Sequence, residues 1–201
     1  MVIDKDLYQL VTTGKMTSGA NWGTGMLIVH PTTGKILLGK RTDNGLMCSP
    51  GGKVEVQESP MMGVLRETLE ESNIKIHSMK LYDVEMHTAE NGKNWTSFMF
   101  LSNDFDDSGL QNQVSEVEPW AWYSLDDALK LDLFPPTQKS IERAIEVGLL
   151  GEDTDESSDP SHYIPFVECP TSGFGADSCC CAYSWQPQET VFTNSEGLYW
   201  D

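Results

Sequence analysis

Glu67, Glu70 and Glu71 are the side chains of this sequence best spaced to do chemistry together. At i, i+3 and i+4 they share one side of a helix. Like charges at that spacing repel, and carboxylates near a helix C-terminus meet the negative end of the macrodipole. Each effect costs roughly a few tenths of a kcal/mol. A divalent cation converts that repulsion into ligation. Mg²⁺ suits the set, with Mn²⁺ as a substitute, because a hard ion takes one or two carboxylates and keeps positions for water and phosphate. Gly63, one turn before Glu67 on the same side, leaves room for a ligand. Taken alone, the pattern fits an ordinary amphipathic helix with a wet acidic face equally well.

The positioning element is legible around these residues. Ser59 is a good N-cap, Pro60 fits the first helical position, and Asn73 tolerates the left-handed conformation that ends many helices. Between those ends Met61, Met62, Leu65 and Leu69 recur at about 100° per residue, so they are expected to form the buried face. Gly51-Gly52 precede the helix as a turn that lets backbone approach a metal or phosphate.

Gly52, Glu58, Arg66-Glu67, Glu70-Glu71 and Ile74 fit the pattern G-x5-E-x7-R-E-U-x-E-E-x-G-U, with U apolar, and so the stretch resembles the Nudix box. Thr68 stands at the first U and Asn73 at the final glycine; neither departure removes a carboxylate. The flanks, Leu37-Leu38-Gly39-Lys40-Arg41 and Trp120-Ala121-Trp122, look like the MutT-type branch that hydrolyses nucleoside triphosphates. The resemblance spans roughly residues 20–148 and implies a Nudix α/β/α sandwich with a mixed sheet. It also implies Mg²⁺ on Glu67, Glu70 and Glu71, with Glu67 or a later glutamate as the base. Glu116 is preferred over Glu118 for that later role. Arg66 is expected to orient the glutamates and to pair with Glu58, while Lys40, Arg41, Gly51 and Gly52 are expected to meet the substrate.

Composition bounds the alternatives. The 201 residues carry a net charge of −18, with 39% apolar residues, enough for one core. From Gly151 onward there are ten acidic residues and no lysine or arginine; the first 150 residues hold the other 21 acids against all 13 bases, a net of −8. That balance opposes non-specific nucleic-acid binding. No apolar run is long enough for a membrane span. Five cysteines, three of them consecutive, are not a secreted disulfide framework, so a reducing, cytoplasmic setting is expected.

In order along the chain, Leu7, Leu10 and Val11 could line a helix face, and Met26–Val29 and Lys35–Leu38 form a hairpin that starts the sheet. Ile76–Met86 and Trp95–Leu101 form a second hairpin around Asn91-Gly92, and the polar run Ser102–Ser115 is a mobile loop. Glu116–Tyr123 supplies a strand, Ser124 caps a short helix, and Thr137–Val147 is the last helix, with Ile141, Ala144 and Ile145 on one face. Residues 1–150 thus form the domain, and 151–201 an irregular acidic extension whose aromatics pack onto the domain or onto a second subunit of a homodimer. Trp22, Trp95, Trp120 and Trp122 read chiefly as core, with one or two expected near a nucleobase. His30, His77 and His87 read as structural. Cys169, Cys179, Cys180 and Cys181 with His162 lack zinc-ligand spacing and read as free thiols.

The expected activity is hydrolysis of a nucleoside diphosphate-linked small molecule, with a (deoxy)nucleoside triphosphate cut to monophosphate and pyrophosphate. ADP-ribose, dinucleoside polyphosphate or RNA-cap hydrolysis are the enzymatic alternatives, and a non-catalytic nucleotide sensor is the alternative of another class.

Overall fold

Side chains alternate between two cores along the central strands. The computed structural model describes residues 5–17, 19–88, 92–110, 117–151 and 164–165. The elements are α1 (Lys5–Thr13), β1 (Trp22–Ile28), β2 (Ile36–Arg41), β3 (Met47–Cys48), β4 (Gly51–Lys53), α2 (Pro60–Ser72), β5 (Lys75–Thr88), β6 (Asn94–Asp106), β7 (Val117–Tyr123), α3 (Leu125–Ala128), α4 (Pro135–Glu146) and β8 (Ile164–Pro165). Met26, Ile28, Leu37, Phe98 and Phe100 meet Val11 of α1 and Met61 and Val64 of α2. Their neighbours Leu27, Ile36, Leu38, Met99 and Leu101 meet Ile141 and Ala144 of α4. The period of two along each strand therefore buries both sheet faces, each under a helix. This is the expected α/β/α sandwich.

The sheets differ in detail from the sequence reading. One sheet has five strands in the order β4-β1-β6-β5-β8, mixed because β1 and β6 are parallel; the other has three, β3-β2-β7, all antiparallel. β1 and β2 are thus not a hairpin of one sheet: a lone bridge, Val29 to Ile36, joins them, and the turn between them hands the chain from one sheet to the other. The Ser102–Ser115 run is not all loop either. Residues up to Asp106 belong to β6, because Phe105 and Asp106 pair with Ile76 and Lys75 and the Phe105 ring stacks on Trp122 at 5.7 Å.

The buried side of α2 is also different. Met61, Val64, Thr68 and Ser72 face the core, whereas Leu69 is 41% exposed. This stripe of mostly short side chains lets the helix lie close over β1 and β4, so tertiary fit overrides hydrophobicity. The caps are as expected. Ser59 Oγ accepts the Met62 N–H at 3.2 Å, and Asn73 sits at φ 57°, ψ 25° with its N–H on the Leu69 carbonyl. Leu10 of α1 and Ile145 of α4, each grouped in the sequence with the apolar residues of one helix face, are more than a third exposed.

Beyond Gly151 the described part is β8, which pairs with β5 through Ser78–Pro165 and Met79–Ile164. The four later cysteines and all the aromatics of the extension lie outside the described residues. Among the described residues no helix is long and apolar enough to cross a membrane.

Candidate active site

Two glycines bring the backbone of β4 against the acidic helix. A Cβ on Gly52 would lie 2.5 Å from Glu67 Cδ, so only glycine lets that carboxylate rest there. Gly51, at φ 154°, leaves equally little space, since a Cβ would come 2.3 Å from the Thr24 carbonyl. Its N–H donates to Glu71 Oε2 at 2.9 Å.

Arg66 organises the rest. Its Nε and Nη2 donate to Glu58 Oε1 and Oε2, both at 3.0 Å, as a bidentate pair. Nη2 also donates to the Lys53 carbonyl at 3.0 Å, while Nη1 lies 2.9 Å from Glu67 Oε1 and 3.1 Å from Glu70 Oε2. One guanidinium thus ties the β4 strand, the loop residue Glu58 and two carboxylates of α2 together. The bond to Glu58 raises the Arg66 pKa further, so its charge is permanent. Burial raises the Glu67 carboxyl above its ordinary value despite the contact with Arg66. Glu70, by contrast, is 60% exposed.

Trp120 of β7 anchors the end of the helix. Its indole N–H donates to the Glu71 carbonyl at 2.8 Å, one of the carbonyls that a helix C-terminus leaves without an internal partner. Trp22 meets Phe98 edge-on, and Trp122 packs on Phe105 and His30. These three tryptophans pack against other side chains, as expected. Trp95 does not.

Trp95 lines a cavity of about 390 Å³ that opens beside Gly51 and Gly52. Gly23, Gly25, Ser97 and Met99 form its floor on β1 and β6, and Phe134, Pro136 and Thr137 at the start of α4 form the facing wall. Arg41 completes that wall, its guanidinium 4.7 Å above the Phe134 ring and held by Asp43 through bonds of 3.0 and 2.8 Å. Lys40 does not line the cavity and is exposed. Alternation from Leu38 would have put Lys40 on Leu38's side; beside it the pairing with β7 changes register, two residues of β2 from Gly39 to Arg41 spanning three of β7. Cys48 also lines the cavity, and burial pushes its thiol up to about 12, so it stays protonated and unreactive.

Phe134, Met99 and His87 are cavity residues that the sequence reading did not place at a site. The Phe-Pro-Pro run before α4 was the available signal for the first, because Pro135 opens the helix and holds Phe134 outside it. Glu116 lies outside the described residues, as does the side chain of Glu118.

For a metal, the donor chemistry fits a hard divalent ion: three carboxylates, with a glycine where any Cβ would strike Glu67. The three do not converge into a finished cage among the described residues, because Arg66 draws Glu67 and Glu70 while Gly51 takes Glu71.

A carboxylate-bearing helix packed on a glycine turn, beside a cavity with an arginine in its wall, is suited on this α/β/α sandwich to a phosphate chain and a metal ion. The chain belongs to the Nudix family: the NUDIX domain model matches residues 21–144. It is 30% identical over 111 residues to the uncharacterized Nudix hydrolase YvcI of Bacillus subtilis, covering 53% of this chain and 69% of that one. It is 30% identical over 100 residues to a MutT-like protein of Streptomyces ambofaciens, covering 50% of this chain and 62% of the relative. The crystal structure of a MutT Nudix hydrolase from Burkholderia pseudomallei superposes with a TM-score of 0.53 at 31% identity, over 63% of this chain and 98% of that chain. The protein is a Nudix-type, MutT-like pyrophosphohydrolase, and Nudix hydrolases work with divalent metal ions.

Proposed function

We propose that this enzyme hydrolyses a (deoxy)nucleoside triphosphate to the monophosphate and pyrophosphate, with Mg²⁺. The supporting observation is the cavity itself: its aromatic and apolar walls, Trp95, Met99 and Phe134, lie beside the Gly51–Gly52 backbone that touches Glu67 and Glu71. A flat base and a charged phosphate chain can therefore be held side by side. The MutT-like relatives point the same way.

Glu67, Glu70 and Glu71 would hold the ion, which when bound neutralises phosphate charge and acidifies water. Arg66 keeps Glu67 and Glu70 aimed across from β4 and does not itself reach substrate. Gly51 and Gly52 admit the phosphates to the backbone. Arg41 takes a phosphate oxygen, its planar fork steadied by Asp43 and Phe134. Glu67 is the base, a role its burial suits because a raised carboxyl pKa makes the ionised form a better proton acceptor. Glu116 is the second candidate for that role.

A panel of nucleoside triphosphates, ADP-ribose and a dinucleoside polyphosphate, run with Mg²⁺ in water labelled with ¹⁸O, tests the reading. Monophosphate and pyrophosphate are expected from the triphosphates, with label in one of those two. Orthophosphate as first product, or a strong preference for ADP-ribose, overturns it.

A further inference from the structure

We propose that His87 is the specificity-determining residue that reads the edge of the base in this cavity. The inference rests on the proposed nucleotide reading of the cavity and adds the residue that selects among bases. His87 of β5 stands directly opposite Trp95 of β6 in the sheet register, and both line the cavity. The same two residues border a second hollow of about 550 Å³ on the other side, lined also by Asn21, Thr88 and Asn94. The pair is therefore the partition that ends the cavity.

Three other polar side chains that line the cavity have partners within the protein. Thr24 Oγ1 donates to the Phe98 carbonyl at 3.3 Å, Thr137 Oγ1 accepts the Ser49 N–H at 3.2 Å, and Arg41 is bound to Asp43. His87 differs, because its Nδ1 is closed off from solvent and has no hydrogen-bond partner among the described residues. A neutral imidazole carries its proton on one ring nitrogen. With no acceptor at Nδ1, the proton belongs on Nε2, which makes the opposite edge of the ring a donor. In a cavity with few other polar groups, such a donor favours a base that presents a carbonyl or ring nitrogen there and rejects one that presents an amino group. Trp95 beside it supplies a face for the ring to lie on.

The test uses the full chain with His87→Phe, which keeps a flat ring without nitrogen, and His87→Gln, which restores a donor. kcat/KM is measured for ATP, GTP, CTP and UTP, together with inhibition by inorganic pyrophosphate, a base-free ligand. His87→Phe is expected to lower kcat/KM for the preferred nucleotide at least ten-fold through KM, and to narrow the spread among the four. Pyrophosphate inhibition should stay within two-fold, and His87→Gln should recover part of the preference. An unchanged order and spread, or an equal loss of pyrophosphate affinity, overturns the assignment. If His87→Phe does not fold, the Gln variant decides by the same spread. Should the wild type cleave none of the four, calorimetric titration of the four nucleoside monophosphates without metal still decides. Equal affinities in wild type and variants would refute the role of His87 separately from the hydrolytic reading.

Discussion

Asn73 Nδ2 donates to the Gly109 carbonyl at 2.7 Å, joining the end of the carboxylate helix to the turn after β6. The Nudix box has glycine where this chain has Asn73, and asparagine serves the same left-handed cap while adding a bond glycine cannot make. Gly109 is its counterpart, since a Cβ there would lie 2.6 Å from Nδ2. Asn73→Gly keeps the backbone angle and loses the bond, so it should cost about 1 kcal/mol. Asn73→Ala loses the bond and also strains a positive φ, for a total of about 2 kcal/mol. Urea unfolding should rank wild type above Gly above Ala; a glycine variant as stable as wild type would remove the bond from the account.

Thr68 occupies the first apolar position of the box, is fully buried, and its Oγ1 has no partner among the described residues. Thr68→Val keeps the β-branched shape and deletes the stranded hydroxyl. It should stabilise the protein by about 1 kcal/mol and raise Tm by roughly 2–4 °C, without changing turnover. A lowered Tm would mean that the hydroxyl has a partner.

Glu67 should set a pH dependence of stability in the metal-free protein. Its folded-state pKa is raised, chiefly by burial, above the value it has in an unfolded chain. A raised group contributes stability that is complete below the unfolded value and is lost as pH rises through the folded one. Glu67→Gln cannot ionise and escapes that loss, so its Tm relative to wild type should climb between pH 4 and pH 7. Melting curves across that range check the sign, and a relative Tm that falls with pH contradicts it. Added Mg²⁺ should reverse the order at pH 7 by stabilising the wild type more.

Arg41 and Lys40 are adjacent in sequence and unequal in place. Arg41→Ala should lower kcat/KM for a nucleoside triphosphate at least ten-fold, and more than for ADP-ribose. Lys40→Ala should stay within about two-fold, as a solvated surface charge does. Equal losses in the two variants would show that the cavity wall does not select between them.

Local rules determine much of this protein from its sequence. The spacing of Glu67, Glu70 and Glu71, the Ser59 and Asn73 caps and the strand periods are short-range properties, legible because helix and strand geometry repeat. What the tertiary structure alone decided depends on which element meets which. The buried stripe of α2 is Met61–Val64–Thr68–Ser72 because the helix lies close on β1 and β4, where bulk at Leu69 has no place. Arg41 rather than Lys40 lines the cavity, beside a register change in the pairing of β2 with β7, segments far apart in the chain. The β5–β6 hairpin, legible from Asn91-Gly92, put Trp95 and His87 across from each other, but the packing of distant segments made that end a cavity wall and left Trp22, Trp120 and Trp122 to pack. Residue type shows what a side chain can do; only the pairing of distant strands sets which cavity it faces.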